Sequence, residues 1–511
     1  MEDSMKRDFT CFLVVFLVLM ICCTISSQAR DKVAPAPSNA DFIDINFLRS
    51  GLPVAEWMRL MYGYPPELDS NPSDEADEDG IEPTPWYVPP EEFSPEANKP
   101  VILDTGIGPN TLVNSRDLCG SRGIVQSETS MAAYGDVIVI AFNDSRGFYC
   151  SGRSTLGWAF SYDGGQTFYD GGTLPGGRTP WSNGDPALAV GPDGTFYIAG
   201  IGNGFRTMSF SRGYITKDGI VWTPPVPAVR GTGTIDKEFL AVDQITRRVY
   251  MAYSRSQTVE VIYSDDEGDS WSNPTRLSGG LGAFPAIGPN GEVYVAWLAG
   301  WPSANQRVVV ARSDNGGATF SAPVTIATVC PVNIAGFNRG QMPAFPSLAI
   351  DLSGGDLTGR VYVAWHSQCN TGSSGNVRLS WSDNNGQSWS TPAIINDGPT
   401  TAHHFSPSVS VDDYGNVNVV FYDRRNNPGT GTTNVYFAQS VNGGASFSPN
   451  VRVTEMATNW SATPSDITPN FGDYMSSLST GSDVLLTWTD GRSGDPDTYF
   501  ARISTASLAK E

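Results

Sequence analysis

The chain has 511 residues, enough for one large repeat domain with accessory segments, and a formal net charge of −21. That acidity speaks against nucleic acid and anionic lipid as partners, because both need Lys and Arg to neutralise phosphates. With 54 glycines, 11% aromatic residues and 17% charged residues, the composition suits many short strands joined by tight turns.

In chain order, residues 1–29 read as a signal peptide. Lys6 and Arg7 precede the apolar run from Phe12 to Cys23, and Ser27-Gln28-Ala29 offers small residues for cleavage. The run is short for a membrane-spanning helix, so the expectation is a secreted or extracytoplasmic protein with no membrane contact beyond this segment. The alternative is a retained signal anchor. Residues 30–98 read as an acidic, proline-rich tether. Asp41 to Tyr64 leaves room for a short amphipathic helix, and Pro65 to Pro100 includes the run Asp74-Glu75-Ala76-Asp77-Glu78-Asp79. Such a stretch cannot bury enough apolar surface to offset its ordering entropy.

Residues 99–505 repeat themselves. An apolar strand, a turn and a second strand ending in an aromatic recur from Glu128, Asp185, Lys237, Phe284, Phe345, Ser406 and Asp473. Alternating β-branched residues around Gly, Asn or Asp turns mark these as antiparallel hairpins. A second motif, Ser-x-Asp/Asn-x-Gly-x-Ser/Thr-Phe/Trp, follows from Ser161, Ser264, Ser313, Ser382 and Ser440, with a shortened copy at Thr216. Its Ser and Asp/Asn side chains suit bonds across a tight turn. A fourth strand closes each repeat except the last, whose missing strand is supplied by Lys99 to Gly106 at the other end of the domain. The expectation is an all-β, seven-bladed β-propeller in which the N-terminal strand completes the last blade and hides its edges.

The second motif resembles the Asp box (BNR repeat) of the sialidase-like β-propeller superfamily, and the chain is most similar to exported Asp-box repeat proteins of unassigned activity. In that topology the motif turns lie on one face, and the B–C loops and D–A connections lie on the other. The loop face gathers Asp144 and Arg146, Arg255, His366, Tyr422 to Arg425, Asp490 and Arg492, with Glu128, Arg178, Trp181, Asp185, Asp236 to Glu238, Arg339, His403, His404, Asp473 and Tyr474. Ligands are expected there, because loops on a rigid scaffold carry function. Four cysteines remain after the signal, and their places around the first and fifth blades predict the disulfides Cys119–Cys150 and Cys330–Cys369. Asn143 and Asn459 head sequons for glycosylation.

Three functions fit this pattern. A sialidase-like hydrolase, as the resemblance implies, would use Tyr474 as nucleophile, Glu128 or Glu238 as the activating carboxylate, Asp473 nearby, and Arg146, Arg425 and Arg492 to grip a substrate carboxylate. A polysaccharide lyase would use His403, His404 or Tyr474 as base, with Arg425 neutralising a uronate. A non-catalytic module would bind a glycan or an extracellular protein, stacking sugars on Trp181, Phe337 and Tyr422. The Asp-x-Arg pairs have two readings, a salt bridge pinning each loop or a guanidinium aimed at ligand. No zinc or nucleotide motif is present, so no cofactor is expected; the acidic loop from Asp351 to Asp356 is the place for a structural calcium. The chain is expected to be a monomer.

Overall fold

The computed structural model describes residues 106–116, 124–147, 154–174, 184–202, 204–217, 219–303, 305–369 and 374–505. The expected signal peptide, the tether, Trp181, Arg178 and the Cys119–Cys150 pair lie outside them.

These residues build seven antiparallel sheets arranged as blades. From the axis outward, blade 1 is Gln126–Tyr134, Val137–Asp144, Leu156–Ser161 and Tyr169–Thr173. Blade 3 is Ile235–Val242, Val249–Arg255, Thr258–Ser264 and Thr275–Gly279. Blades 4, 5 and 6 repeat this order from Leu281–Ile287, Ser347–Ile350 and His404–Val411. The innermost strands touch one another in sequence around the ring, and the strand of blade 7, Ser476–Thr480, returns to that of blade 1. Blade 6 adds a short fifth strand, Thr458–Asn459, beside Thr432–Ser440, and blade 2 departs from the pattern as well. Its shortened motif forms a tight hairpin, Thr207–Thr216 with Gly219–Trp222, which adds a fifth strand.

The ring closes as the sequence predicted, with Gly106 O accepting the Ser504 N–H at 2.7 Å and the pairing continuing further along the chain. Thr111–Leu112 pairs with Asp497–Ser504, and Ile107 bridges Ile503. Pro109 has no N–H to donate and divides this closing segment into two short contacts. Residues 99–105 lie outside the described part. The Cys330–Cys369 disulfide forms, joining the loops on either side of blade 5's inner strands.

The recurrent turn owes its shape to two side chains. Ser161 Oγ accepts the Gly165 N–H at 2.9 Å, and Asp163 Oδ1 accepts the Thr167 N–H at 2.9 Å. The same two bonds recur at Ser264, Ser313, Ser382 and Ser440. Each turn is then pressed onto the preceding blade. Arg248, Arg360 and Arg502 donate to the carbonyls of Gly316, Gly443 and Gly164 on the next blade round. The core follows the same geometry, for buried clusters span neighbouring blades: Tyr197 and Phe210 of blade 2 pack with Leu240 and Met251 of blade 3.

Gly165 shows why the turn needs glycine. Its φ is +89°, and a Cβ there would meet Phe500 of blade 7 at 2.1 Å. Gly172 has a similar φ of +71° but open space around it. Gly172→Ala therefore costs about 1 kcal/mol of backbone strain, and Gly165→Ala adds an overpacking cost of about 1–3 kcal/mol at the closing interface. We expect Gly165→Ala to lower the urea midpoint clearly more than Gly172→Ala. Equal shifts would deny that this turn holds the first and last blades together.

Candidate functional site

Four inner strands carry a bulge at the same place. The register slips between Ser127 and Ser130, Asp236 and Phe239, Leu281 and Phe284, and Phe405 and Ser408. The bulged residues Glu128, Lys237, Gly282 and Ser406 have φ of 54°, 52°, 68° and 51°, and Asp185 of blade 2, just before its strand, has 53°. Left-handed backbone disfavours any side chain, so a Glu, an Asp and a Lys there are costly local choices. Bulges re-aim side chains, and here two of them, with the left-handed Asp185, bring three charges together.

Lys237 is the centre. Its Nζ lies 2.9 Å from Glu128 Oε1, 3.0 Å from Asp185 Oδ2 and 3.3 Å from Asp473 Oδ2. Those groups come from blades 3, 1 and 2 and from the entry to blade 7. Asn143 extends the network, donating to Glu128 Oε2 at 2.9 Å and accepting the Asp185 N–H at 2.6 Å. The Asp473 N–H bonds Glu128 Oε1 at 3.1 Å, and Arg339, from the connection between blades 4 and 5, pairs with Asp473. Asn143 is buried inside this network, so the first sequon is closed to a glycan, whereas Asn459 is exposed.

Burial dominates the acid–base character here. It pushes Glu128 up to about 7, with Asp185 adding to the rise and Lys237 opposing it. It pushes Asp236 up to about 6 against the pull of Lys237 and Arg339. Glu238, buried beside Asp185 and Asp236, is held well above the carboxylate range. For Lys237 burial would lower the value, but Asp185, Glu128 and Asp473 override it and keep the ammonium charged. Burial and the surrounding carboxylates hold the Tyr474 phenol well above its usual range. The Tyr474 ring lies against Phe239, with centroids 5.2 Å apart, and Lys237 Nζ is 5.2 Å from its centre.

The three candidate arginines do not join this group. Arg146 grips Asp144 at 2.9 Å and reaches Asp170 on the outermost strand of blade 1 at 3.1 Å. Arg425 grips Asp423 at 2.6 Å and bonds Asp397 and Asn450. Arg492 grips Asp490 at 2.7 Å, bonds Asn110 and covers the Tyr499 ring. Each thus points outward along its own blade. Tyr422 is buried, its hydroxyl bonding the Thr489 carbonyl at 2.9 Å, and Phe337 packs on Phe471; neither ring presents a face for a sugar. His404 is buried with Nδ1 2.9 Å from Asp423 Oδ2, and His403 Nδ1 accepts the Gly375 N–H at 3.1 Å. Both belong to blade 6, apart from the Lys237 network. Asp351 caps its own turn by accepting the Ser353 N–H and hydroxyl, and among the described residues no group of three or more His, Cys, Asp or Glu is arranged for a metal ion.

The structure therefore joins the candidates Glu128, Glu238, Asp473 and Tyr474, and makes central members of Lys237, Asp185, Asp236 and Arg339, which the sequence placed on the loop face without a role. The sequence did carry a signal for them. Glu128, Asp185 and Lys237 each open their repeat unit, one charged residue in each of three consecutive copies.

Two measurements follow. An acid whose folded pKa is raised binds more protons folded than unfolded between the two values. For Glu128 the window runs from 4.5 to about 7, so its contribution lowers stability as pH rises across it. We expect Glu128→Gln to flatten that decline in urea midpoints; an unchanged slope would assign the decline elsewhere. Removing the charge with Lys237→Met leaves buried carboxylates unpaired, and a loss of about 3–5 kcal/mol is expected; a loss under 1 kcal/mol would mean that the ion pairs do not hold the ring.

No protein-family model and no curated protein sequence matches the chain. Among solved structures, similar ones include a Dyadobacter fermentans protein of unknown function (12% identity, TM-score 0.43, 77% of this chain and 97% of that one). Others are a Hadza microbial sialidase (13%, 0.40, 69% and 73%) and a Penicillium chrysogenum α-L-arabinanase complexed with arabinobiose (13%, 0.42, 68% and 98%). At that distance the chain's function has to be read from its own residues.

Proposed function

We propose that the chain is an exported recognition propeller that takes a glycan at the axis of its loop face, without sialidase-type hydrolysis. The observation that carries this reading is the fate of the arginines. A sialidase-type site needs guanidinium groups converging on one substrate carboxylate, and Arg146, Arg425 and Arg492 each spend their fork on an Asp of their own loop. Burial and the surrounding carboxyls hold the Tyr474 phenol above its usual range, so a nucleophile there needs a general base, and Lys237 already engages Glu128, one of the two carboxyls that could serve. The half-buried Tyr474 and Phe239 remain at the axis as apolar faces of the kind sugars stack on. The Cys330–Cys369 disulfide fits an oxidising compartment.

One observation favours a second reading. A carboxyl held at about 7, as in Glu128, is in the range of a general acid for glycosidic cleavage. It would have to be released from Lys237 first.

A glycan array and a fluorogenic sialoside assay separate the two. We expect binding on the array that Tyr474→Ala weakens at least tenfold and that Arg146→Lys, Arg425→Lys and Arg492→Lys leave within twofold, with no release of the fluorophore between about pH 4 and 8. Release abolished by Tyr474→Phe or Glu128→Gln would overturn the non-catalytic reading.

A further inference from the structure

The axial cluster holds the carboxyls of Glu128, Asp185, Asp236, Glu238 and Asp473 against the cations Lys237 and Arg339. Lys237 takes three of these acids, Glu128, Asp185 and Asp473, and Arg339 shares Asp473. Asp236 and Glu238 are left over. Glu238 is 1% exposed, yet neither carboxylate oxygen takes a hydrogen bond, and Asp236 Oδ1 is buried without one. A buried carboxylate with no donor is expensive. The two flank Lys237 in the sequence, where the strand's register shifts, and Asp236 Oδ1 and both Glu238 oxygens are acceptors without a donor.

Aromatic rings adjoin Glu238, for Phe239 follows it in the chain and the Glu238 charge reaches Tyr474. Phe239 contacts Phe284 with centroids 4.9 Å apart and Tyr474 at 5.2 Å, and all three rings are partly exposed. Aromatic faces and unpaired carboxylates attract the same kind of group, a cation. They repel the carboxylate of a sialic acid or uronate.

We propose that Asp236 and Glu238, flanked by Tyr474, Phe239 and Phe284, bind the protonated amine of a de-N-acetylated amino sugar. This rests on the glycan-recognition reading and narrows it. The ammonium supplies the donors the two carboxyls lack, and its C–H faces pack on the rings. Burial raises Glu238 above the usual carboxylate range, and an ammonium beside it opposes that rise. The chain's net charge of −21 raises the local concentration of a cationic glycan before contact.

The test is calorimetric titration of the full chain with a β-1,4-linked glucosamine tetramer and with its fully N-acetylated counterpart. The expected result is at least tenfold tighter binding of the free-amine tetramer, lost tenfold or more in Asp236→Asn and in Glu238→Gln. Asp236 is half-buried, so its variant tests the idea even where Glu238→Gln fails to fold. Equal affinity for the two tetramers overturns the amine inference and leaves glycan recognition standing. Unchanged affinity in Asp236→Asn overturns it too. If neither tetramer binds while other glycans bind on the array, the inference fails alone; if the array is blank as well, the recognition reading fails with it.

Discussion

One buried ammonium organises the centre of this molecule. Lys237 comes from blade 3, and its three carboxylates come from blade 1, blade 2 and the entry to blade 7. A propeller closes only if its first and last blades meet in register. Hydrophobic packing between blades is strong but forgiving, because apolar faces slide at little cost. An ion pair sealed from water is not forgiving, since a displaced partner leaves a charge stranded in low dielectric. The bond from the Asp473 N–H to the Glu128 carboxyl joins the two ends of the ring at the same point. Lys237 therefore sets where the blades meet, and the apolar core sets how firmly they stay.

That arrangement depends on backbone that is locally unfavourable. Glu128, Asp185 and Lys237 occupy left-handed conformations in which glycine would be easier, and blade 4 uses Gly282 at the equivalent place. Without the bulge, alternation along the strand would send adjacent residues to opposite faces. With it, Asp236, Lys237 and Glu238 act on one electrostatic neighbourhood. The strain at these positions and the charge at the axis are thus two aspects of one feature. By contrast, Arg146, Arg425 and Arg492 sit at ordinary loop positions two residues after an aspartate, where a bidentate bond back along the loop is the nearest satisfaction for both groups.

The fold was legible because the propeller is a sum of local signals. Alternation, turn residues and a Ser-x-Asp/Asn turn each act within a dozen residues, and five copies in register leave little freedom for another architecture. The closing strand was legible in kind, and its pairing continues past the expected Gly106 through Ile107 and Gly108 to Thr111–Leu112. The site was only partly legible. Which loop residues share the axis depends on seven blades meeting in space, and no spacing in the chain encodes that directly. Tyr474, Glu128 and Asp473 stood out by their place in the repeats. Arg339 did not, because it lies in a long connection with no repeat to compare. The Asp-x-Arg pairs left two readings open, since loop-face position alone does not say whether a guanidinium is already spent, and the structure shows the loop-pinning salt bridge in each.

A repeat protein separates scaffold from site by where its copies agree and where they differ. The copies agree on the turn serine, the turn glycine and the buried aromatics such as Trp297, Trp365 and Trp488, all of which bond or pack within and between blades. They differ at the residue that opens each inner strand, which is Glu in blade 1, Asp in blade 2, Lys in blade 3, Gly in blade 4 and Ser in blade 6. Nothing in the geometry of a single blade demands those differences, for the backbone there is nearly the same in each. They make sense only as the parts of one asymmetric cluster at the axis. The excess of acid over base in that cluster then decides what can approach it. An anion meets carboxylates and ring faces, while a cation meets two carboxyls with no donor of their own.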